Sequence, residues 1–335
     1  MARLAIIVVN YNTREMLSHC LRSVYVSRTE HRYHLIVVDN HSSDGSAEMV
    51  AARFPQATLI LSDRNGGFGY ANNLALRWLA AEPTFPGNGT YGSSIRAGGP
   101  PQGKQPHEEI PEQGSSPYRY PCEYVLFLNP DTVLPENALD VTVGFLEAHP
   151  EAGIMGPKVV KPDGNLDLAC RRSFPTPASG LFKLAGLSKI FPKSKSLAKY
   201  NLTYLSDDET AEVDSVMGAY MLVRSDALGE AGLYDERFFM YGEDLDLAYR
   251  VKERGWKVFY HPGVEVLHHK GASSRKQSER SIREFYRAMH IFYRKHYAER
   301  YNGLVNAVVK FGITLRGRLA LTQNALRSNE RKRVT

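Results

Sequence analysis

Leu4-Ala5-Ile6-Ile7-Val8-Val9-Asn10-Tyr11-Asn12 is an apolar run that breaks abruptly into polar residues. Helical spacing follows, through Met16, Leu17, Cys20, Leu21 and Val24. Residues 35–38 repeat the arrangement, ending at Asp39-Asn40 and Ser42-Ser43-Asp44-Gly45-Ser46 before a helix over 47–54. Residues 58–61 repeat it again, with Asn65-Gly66-Gly67 and a helix over 71–81. Nearly continuous apolar strands alternating with helices predict an α/β protein with a parallel sheet buried on both faces. Ligands of such sheets sit beyond the carboxyl ends of the strands, where these polar loops fall.

Outward from this core, residues 83–121 are rich in Pro, Gly, Ser and Gln and carry no apolar periodicity. They cannot bury enough surface to offset their ordering entropy, and are expected to form a flexible insertion. The sheet pattern resumes at residues 124–128 and ends in Asn129-Pro130-Asp131-Thr132. A helix over 135–149, a strand over 153–160 and a turn at 162–165 follow, then a basic stretch over 171–199. Residues 213–223 read as a strand containing Met217-Gly218-Ala219, 234–241 as an aromatic loop, and 243–255 as a helix. A last strand over 257–260 leads to His268-His269. Two amphipathic segments close the chain. Phe285, Met289, Phe292, Tyr293 and His296 share one helical face, and Leu304, Val308, Phe311, Leu315 and Leu319 form a second stripe. The expected organisation is a catalytic domain over 1–270 and a basic helical tail over 271–335.

Composition narrows the class. The 335 residues are 43% apolar and 23% charged, which excludes a collagen-like, wholly disordered or coiled-coil chain. Three scattered cysteines form neither a disulfide framework nor a zinc pattern, and point to a reducing compartment. The first apolar run is too short for a signal peptide, and no stretch approaches the roughly 18 apolar residues of a membrane span. From Lys270 onward the chain holds 16 basic and 4 acidic residues, a net of +12, which leaves the remainder at −6. A mildly acidic body with a strongly basic tail implies an anionic partner for the tail. The tail has no nucleic-acid motif, so nucleic acid is not that partner.

Several residues have the chemistry of a site, each with a plainer alternative. Asp39, at the end of an apolar strand, can accept from a nucleobase imide or a ribose hydroxyl, or can simply cap a turn. Asn65-Gly66-Gly67-Phe68-Gly69 lets backbone approach a ligand before a helix N-terminus, yet matches neither a Walker A loop nor Gly-x-Gly-x-x-Gly. Asp131 is placed to hold a divalent cation against a diphosphate, although Asn-Pro-Asp is also a turn sequence. Glu243, Asp244 and Asp246 open a helix, where acids complement the dipole, but a carboxylate aimed into a cleft there is a general base. His268 follows Val266-Leu267 and can complete a cation shell with Asp131.

Taken in order, these motifs resemble glycosyltransferase family 2. They are Val8-Val9-Asn10-Tyr11-Asn12, Val37-Val38-Asp39-Asn40 with Ser43-Asp44-Gly45-Ser46, Asn65 through Asn73, Leu128-Asn129-Pro130-Asp131, Gly218-Ala219, and Phe238 through Asp246. Within that family the chain is most similar to bacterial rhamnosyltransferases that extend a polyprenyl-diphosphate-linked sugar. The resemblance spans residues 3 to 300, apart from the 83–121 insertion. It implies a GT-A fold, with a Rossmann-like, mostly parallel sheet, and inverting transfer from a nucleotide sugar, dTDP-rhamnose above all. It further implies that Asp39 contacts the base, that Asn10 and Asn12 line its pocket, and that Asn65, Gly67 and Asn129 lie along the nucleotide. Asp131 and His268 would hold Mg²⁺ or Mn²⁺. Asp244 would be the catalytic base, with Glu243 beside it. Asn129 replaces the first acid of the family's Asp-x-Asp motif, removing one charge from the cation site. The tail would then bind the anionic inner face of the plasma membrane, next to a polyprenyl-diphosphate-linked acceptor, in a cytoplasmic enzyme. A UDP-hexose donor and a catalytically inactive nucleotide-sugar-binding scaffold remain open alternatives. Joint retention of Asp131, Asp244 and His268 argues against the second.

Overall fold

A computed structural model describes residues 2–85, 95–98, 118–177, 190–191, 194–195, 200–269 and 278–326. The strands are β1 (Arg3–Asn10), β2 (Arg32–Asp39), β3 (Thr58–Ser62), β4 (Ile95–Gly98), β5 (Tyr124–Leu128), β6 (Thr132–Val133), β7 (Ala152–Val160), β8 (Ala211–Val213), β9 (Tyr220–Arg224) and β10 (Lys257–His268). They form one sheet in the order β4-β3-β2-β1-β5-β9-β7-β10-β6, with β8 added beside β10. The first half is parallel, as the alternation predicts. β9 then runs antiparallel between β5 and β7, so the second half is mixed.

Side chains alternate across β1, and the two faces carry separate cores. Ala5, Ile7 and Val9 join one cluster with Ala71, Ala75 and Leu76 of the helix Phe68–Ala81 and Leu247 and Val251 of the helix Glu243–Glu253. Leu4, Ile6 and Val8 join the other, with Leu17, Cys20, Leu21 and Val24 of the helix Arg14–Tyr25 and residues of the helices Ser46–Arg53 and Ala138–Ala148. Burial on both faces is why these strands contain no polar alternation.

Register aligns the strand ends that matter. Asn10 pairs with Asp39, Asp39 with Leu61, and Val8 with Leu128. The polar loops after β1, β2, β3 and β5 therefore open along one edge of the sheet.

Three expectations need correction. Residues 213–223 are not one strand: β8 and β9 are separated by a loop over 214–219, whose Val216 and Met217 are apolar because they are buried. The last strand does not stop at residue 260; it runs to His268 through a register shift between His261 and Glu265 that accommodates Pro262-Gly263. Most of the expected 83–121 insertion lies outside the described residues, but Ile95–Gly98 within it pairs with β3 as an edge strand. Most of the basic stretch over 171–199 also lies outside them.

The first tail helix, Ser278–His296, packs on the body. Ala288, Phe292 and Tyr293 share a cluster with Phe238, Leu245 and Tyr249. Buried Asp246 anchors it, contacting Lys295 Nζ at 2.7 Å and His296 Nε2 at 2.8 Å. The second helix, Gly303–Ala325, keeps its stripe in solvent: Leu304 is 75% exposed, Val308 62%, Phe311 68%, Leu315 45% and Leu319 46%. No helix among the described residues is long and apolar enough to cross a membrane.

Candidate active site

The carboxyl edge of β1 and β2 is a hydrogen-bonded frame around Asp39. Asn10 is fully buried, and its Nδ2 donates to Asp39 Oδ1 at 3.1 Å and to Ser42 Oγ at 3.0 Å. Asn10 Oδ1 accepts from Thr13 Oγ1 at 2.6 Å, while Asp39 Oδ2 accepts from Ser42 N at 2.9 Å. Asn12, at φ +53°, turns the chain and accepts from Ser43 N at 2.8 Å. Asn10 thus positions Asp39, and Asn12 the Ser42-Ser43 turn, at the strand end where the resemblance implies the base pocket. Asn65 accepts from Asn40 Nδ2 at 3.0 Å and from Gly67 N at 3.2 Å, tying the glycine-rich loop to the end of β2.

Gly67 is required by the protein itself. At φ +91°, an added Cβ would lie 2.3 Å from the carbonyl oxygen of Phe239, and Phe68 N donates to that same oxygen at 2.8 Å. The aromatic loop before the acidic helix is therefore clamped on the glycine-rich loop. Tyr241 and Gly242, at φ +70° and +83°, then turn the chain sharply into Glu243. A left-handed non-glycine residue two positions before the acidic pair is strain of the kind that gathers at functional sites.

Glu243 and Asp244 are both buried but differ in environment. Asp244 Oδ2 accepts from Arg172 Nη2 at 2.6 Å and from Gly218 N at 3.1 Å, and Oδ1 accepts from Leu245 N at 2.7 Å. Burial opposes the charge of Arg172, but Asp244 and then Tyr200 outweigh it and hold the guanidinium above its ordinary pKa. Burial, reinforced by the charge of Asp244, pushes Glu243 up to about 8. One carboxylate is ion-paired and the other is an acid near neutral pH.

Asp131 lies one strand pair away. Asn129 N donates to Ala219 O at 3.0 Å, next to the Gly218 that touches Asp244. His268 pairs with Thr132 across β10 and β6, which brings its Nε2 within 3.2 Å of Asp131 Oδ1. His269 contributes its backbone N–H to Asp131 O at 2.8 Å. Burial disfavours the imidazolium, yet Asp131 and Asp167 outweigh it and raise His268 to about 9.

No group of three or more His, Cys, Asp or Glu side chains that could hold a metal occurs among the described residues. Asp131 and His268 are nonetheless a fitting pair of donors. Neighbouring ligands of an octahedral ion with bonds of about 2.1 Å stand about 3 Å apart, and such ions keep substrate phosphates and water in the remaining positions.

Arg172 and Asp167 were missed by sequence reasoning. Arg172 lay in a stretch readable only as basic, and its partner is 72 positions away. The only local cue was a pair of arginines directly after the apolar Leu168-Ala169-Cys170.

The chain matches the family described as glycosyltransferase like family 2 over residues 2–287. It is 27% identical over 336 residues to the N-acetylglucosaminyl-diphospho-decaprenol L-rhamnosyltransferase of Mycobacterium tuberculosis, covering 99% of this chain and 96% of that protein. A rhamnosyltransferase of Escherichia coli is 25% identical over 162 residues, 48% of this chain and 58% of its own. Among solved structures, a mannosyltransferase from Pyrobaculum calidifontis in complex with GDP-Man and Mn²⁺ superposes with a TM-score of 0.52 at 15% identity, covering 98% of this chain and 76% of that one. That last likeness bears on the fold, which is GT-A, as the resemblance implied.

Proposed function

The chain belongs to glycosyltransferase family 2, and from that premise we propose that it transfers L-rhamnose from dTDP-rhamnose onto a polyprenyl-diphosphate-linked saccharide in cell-wall or surface-polysaccharide synthesis. One observation carries the choice of acceptor. The family match ends at residue 287, whereas the similarity to the decaprenol-linked rhamnosyltransferase spans 99% of the chain and so takes in the cationic tail.

The reaction is a single displacement with inversion. An acceptor hydroxyl attacks the anomeric carbon from the face opposite the nucleotide, its proton passes to Asp244, and the nucleoside diphosphate leaves. Glu243, kept protonated by burial, adds no second negative charge beside that base. Arg172 and Gly218 N hold the Asp244 carboxylate in one orientation. Asp39 offers an acceptor to the nucleobase at the carboxyl end of β2. Asp131 and His268 would hold Mg²⁺ or Mn²⁺, which when bound neutralises charge on the departing diphosphate.

The exposed helix fits a peripheral place on the inner face of the plasma membrane. Its apolar stripe is flanked by Lys310, Arg316 and Arg318, and no acidic residue occurs between Asn302 and Asn329. An apolar face with cationic flanks suits an anionic lipid interface, while a second copy on the same stripe would bring like charges together.

The test is incubation of the full chain with dTDP-L-rhamnose, Mn²⁺ and a polyprenyl-diphosphate-linked GlcNAc, with mass analysis of the lipid. Addition of one deoxyhexose is expected. Transfer from a UDP-hexose but not from dTDP-rhamnose overturns the donor. Nucleotide-induced thermal stabilisation without transfer from either donor favours an inactive nucleotide-sugar-binding scaffold, and absence of both overturns the nucleotide-sugar reading itself.

A further inference from the structure

The second carboxylate against His268 has so far been given no role. Asp167 is 4% exposed and follows the turn after β7, where its N–H donates to Val159 O at 2.8 Å. Its Oδ1 accepts from Ala169 N at 3.1 Å, capping the short helical turn Leu168–Cys170. Its Oδ2 faces His268 Nδ1 at 3.7 Å, while Nε2 of the same ring faces Asp131 at 3.2 Å. A buried imidazole therefore lies between two carboxylates, one toward each nitrogen. Capping Ala169 needs only one of the Asp167 oxygens, and the other is turned to the ring.

An imidazole ligates a cation only through a nitrogen that carries no proton. Which nitrogen that is depends on what the other one donates to. We propose that Asp167 is the positioning residue of the cation site: closing from 3.7 Å, it accepts the Nδ1 proton of His268, so that when a cation binds the proton given up is the one on Nε2, beside Asp131. The proposal rests on the reading of Asp131 and His268 as cation ligands, and in this role Asp167 touches neither nucleotide nor cation.

Asp167→Asn makes the consequence sharp. With the amide oxygen still capping Ala169 N, the amide nitrogen faces His268 Nδ1 and donates to it. The ring then carries its proton on Nε2, the wrong nitrogen for ligation.

The experiment titrates Mn²⁺ into the full chain in the presence of dTDP, following free Mn²⁺ by electron paramagnetic resonance. Four proteins are compared: wild type, Asp167→Asn, His268→Ala and the double variant. Asp167→Asn should weaken Mn²⁺ binding by roughly 10- to 100-fold, leave metal-free dTDP affinity unchanged, and weaken Mn²⁺ binding no further in the His268→Ala background. Mn²⁺ affinity within about twofold of wild type overturns the proposal, and so does equal weakening in both backgrounds. Should Asp167→Asn misfold, Asp167→Ser retains an acceptor for Ala169 N and is held to the same outcomes. A wild-type chain that binds no Mn²⁺ beside dTDP overturns the cation reading itself, and this proposal with it.

Discussion

Replacing Arg172 with methionine isolates its ion pair with Asp244 at the start of the helix Glu243–Glu253. The Arg172 and Asp244 side chains are only 10% and 12% exposed, so solvent cannot take over the lost partner. Asp244 would keep its bonds from Gly218 N and Leu245 N but lose its only charged donor among the described residues. A hydrogen bond to a charged group contributes about 1.5–3 kcal/mol, and losing the Arg172 bond to the Val216 carbonyl, which keeps Ser215 Oγ at 3.0 Å, adds about 1 kcal/mol. The sum, about 2.5–4 kcal/mol, overlaps the 3–5 kcal/mol typical of breaking a buried pair from one side. Urea unfolding followed by circular dichroism should therefore show a lower midpoint with an unchanged slope. Asp244→Asn should abolish transfer while dTDP still binds, and by itself should also destabilise, since it leaves Arg172 unpaired. The double variant removes both charges, and its cost should fall at least about 1.5 kcal/mol short of the sum of the single costs. Single costs that add to within about 0.5 kcal/mol would refute the reasoning, because the two groups would then not depend on one another.

Three further outcomes follow from the same geometry. Glu243 binds its proton more tightly folded than unfolded, so its contribution to stability is full below pH 4.5 and is lost as pH rises through about 8. The stability of wild type relative to Glu243→Gln should fall across that window, and a difference independent of pH would contradict the burial argument. Gly67→Ala places a Cβ against the Phe239 carbonyl at an unfavourable φ and should cost on the order of 1–3 kcal/mol by thermal unfolding; a neutral substitution would mean that the two loops are not clamped. Changing Val308, Phe311 and Leu315 together to glutamate should abolish sedimentation with vesicles containing anionic lipid while leaving the thermal midpoint near wild type, because all three are exposed; retained vesicle binding would sink the membrane reading.

Legibility in the sequence followed burial rather than secondary structure. β1, β2, β3 and β5 were readable because both their faces are covered, and apolar residues recur without a break. The same cue failed over residues 214–219. Val216 packs so closely on Gly156 that a Cβ there would lie 2.6 Å from it, so the loop is apolar for packing and not for pairing. Pro262-Gly263 read as a stop, yet a strand absorbs such a pair when its register shifts around it. At the candidate site, the residues that the sequence proposes stand at a strand end or a helix start: Asp39, Asp131, Glu243, Asp244 and His268. Arg172 and Asp167 were not, because what marks them is a partner on a distant element, 72 residues away for Arg172.

The segment that holds those two residues explains how distant halves of the chain act together. Over Asp167–Arg172 the backbone passes from the Asp131–His268 pair to Asp244, with Asp167 facing His268 at one end and Arg172 bonded to Asp244 at the other. Between them Arg171, 1% exposed, is bonded to the carbonyls of Leu205 and Ser206 and to Asp207, fixing the strap from behind. Arg172 also exchanges backbone hydrogen bonds with Ser215, three residues before the Gly218 that contacts Asp244. A displacement of this strap would therefore disturb the orientation of His268 and of Asp244 at once. The helix Glu243–Glu253 is fixed on its far side as well, because Asp246 is held by Lys295 and His296 of the first tail helix. Only residues 297–302 separate that helix from the exposed cationic one. On the proposed membrane reading, the surface that meets the lipid is thus in short, packed connection with the carboxylate that takes the proton. A lipid-borne acceptor can then meet Asp244 at a height set by packing rather than by a flexible linker.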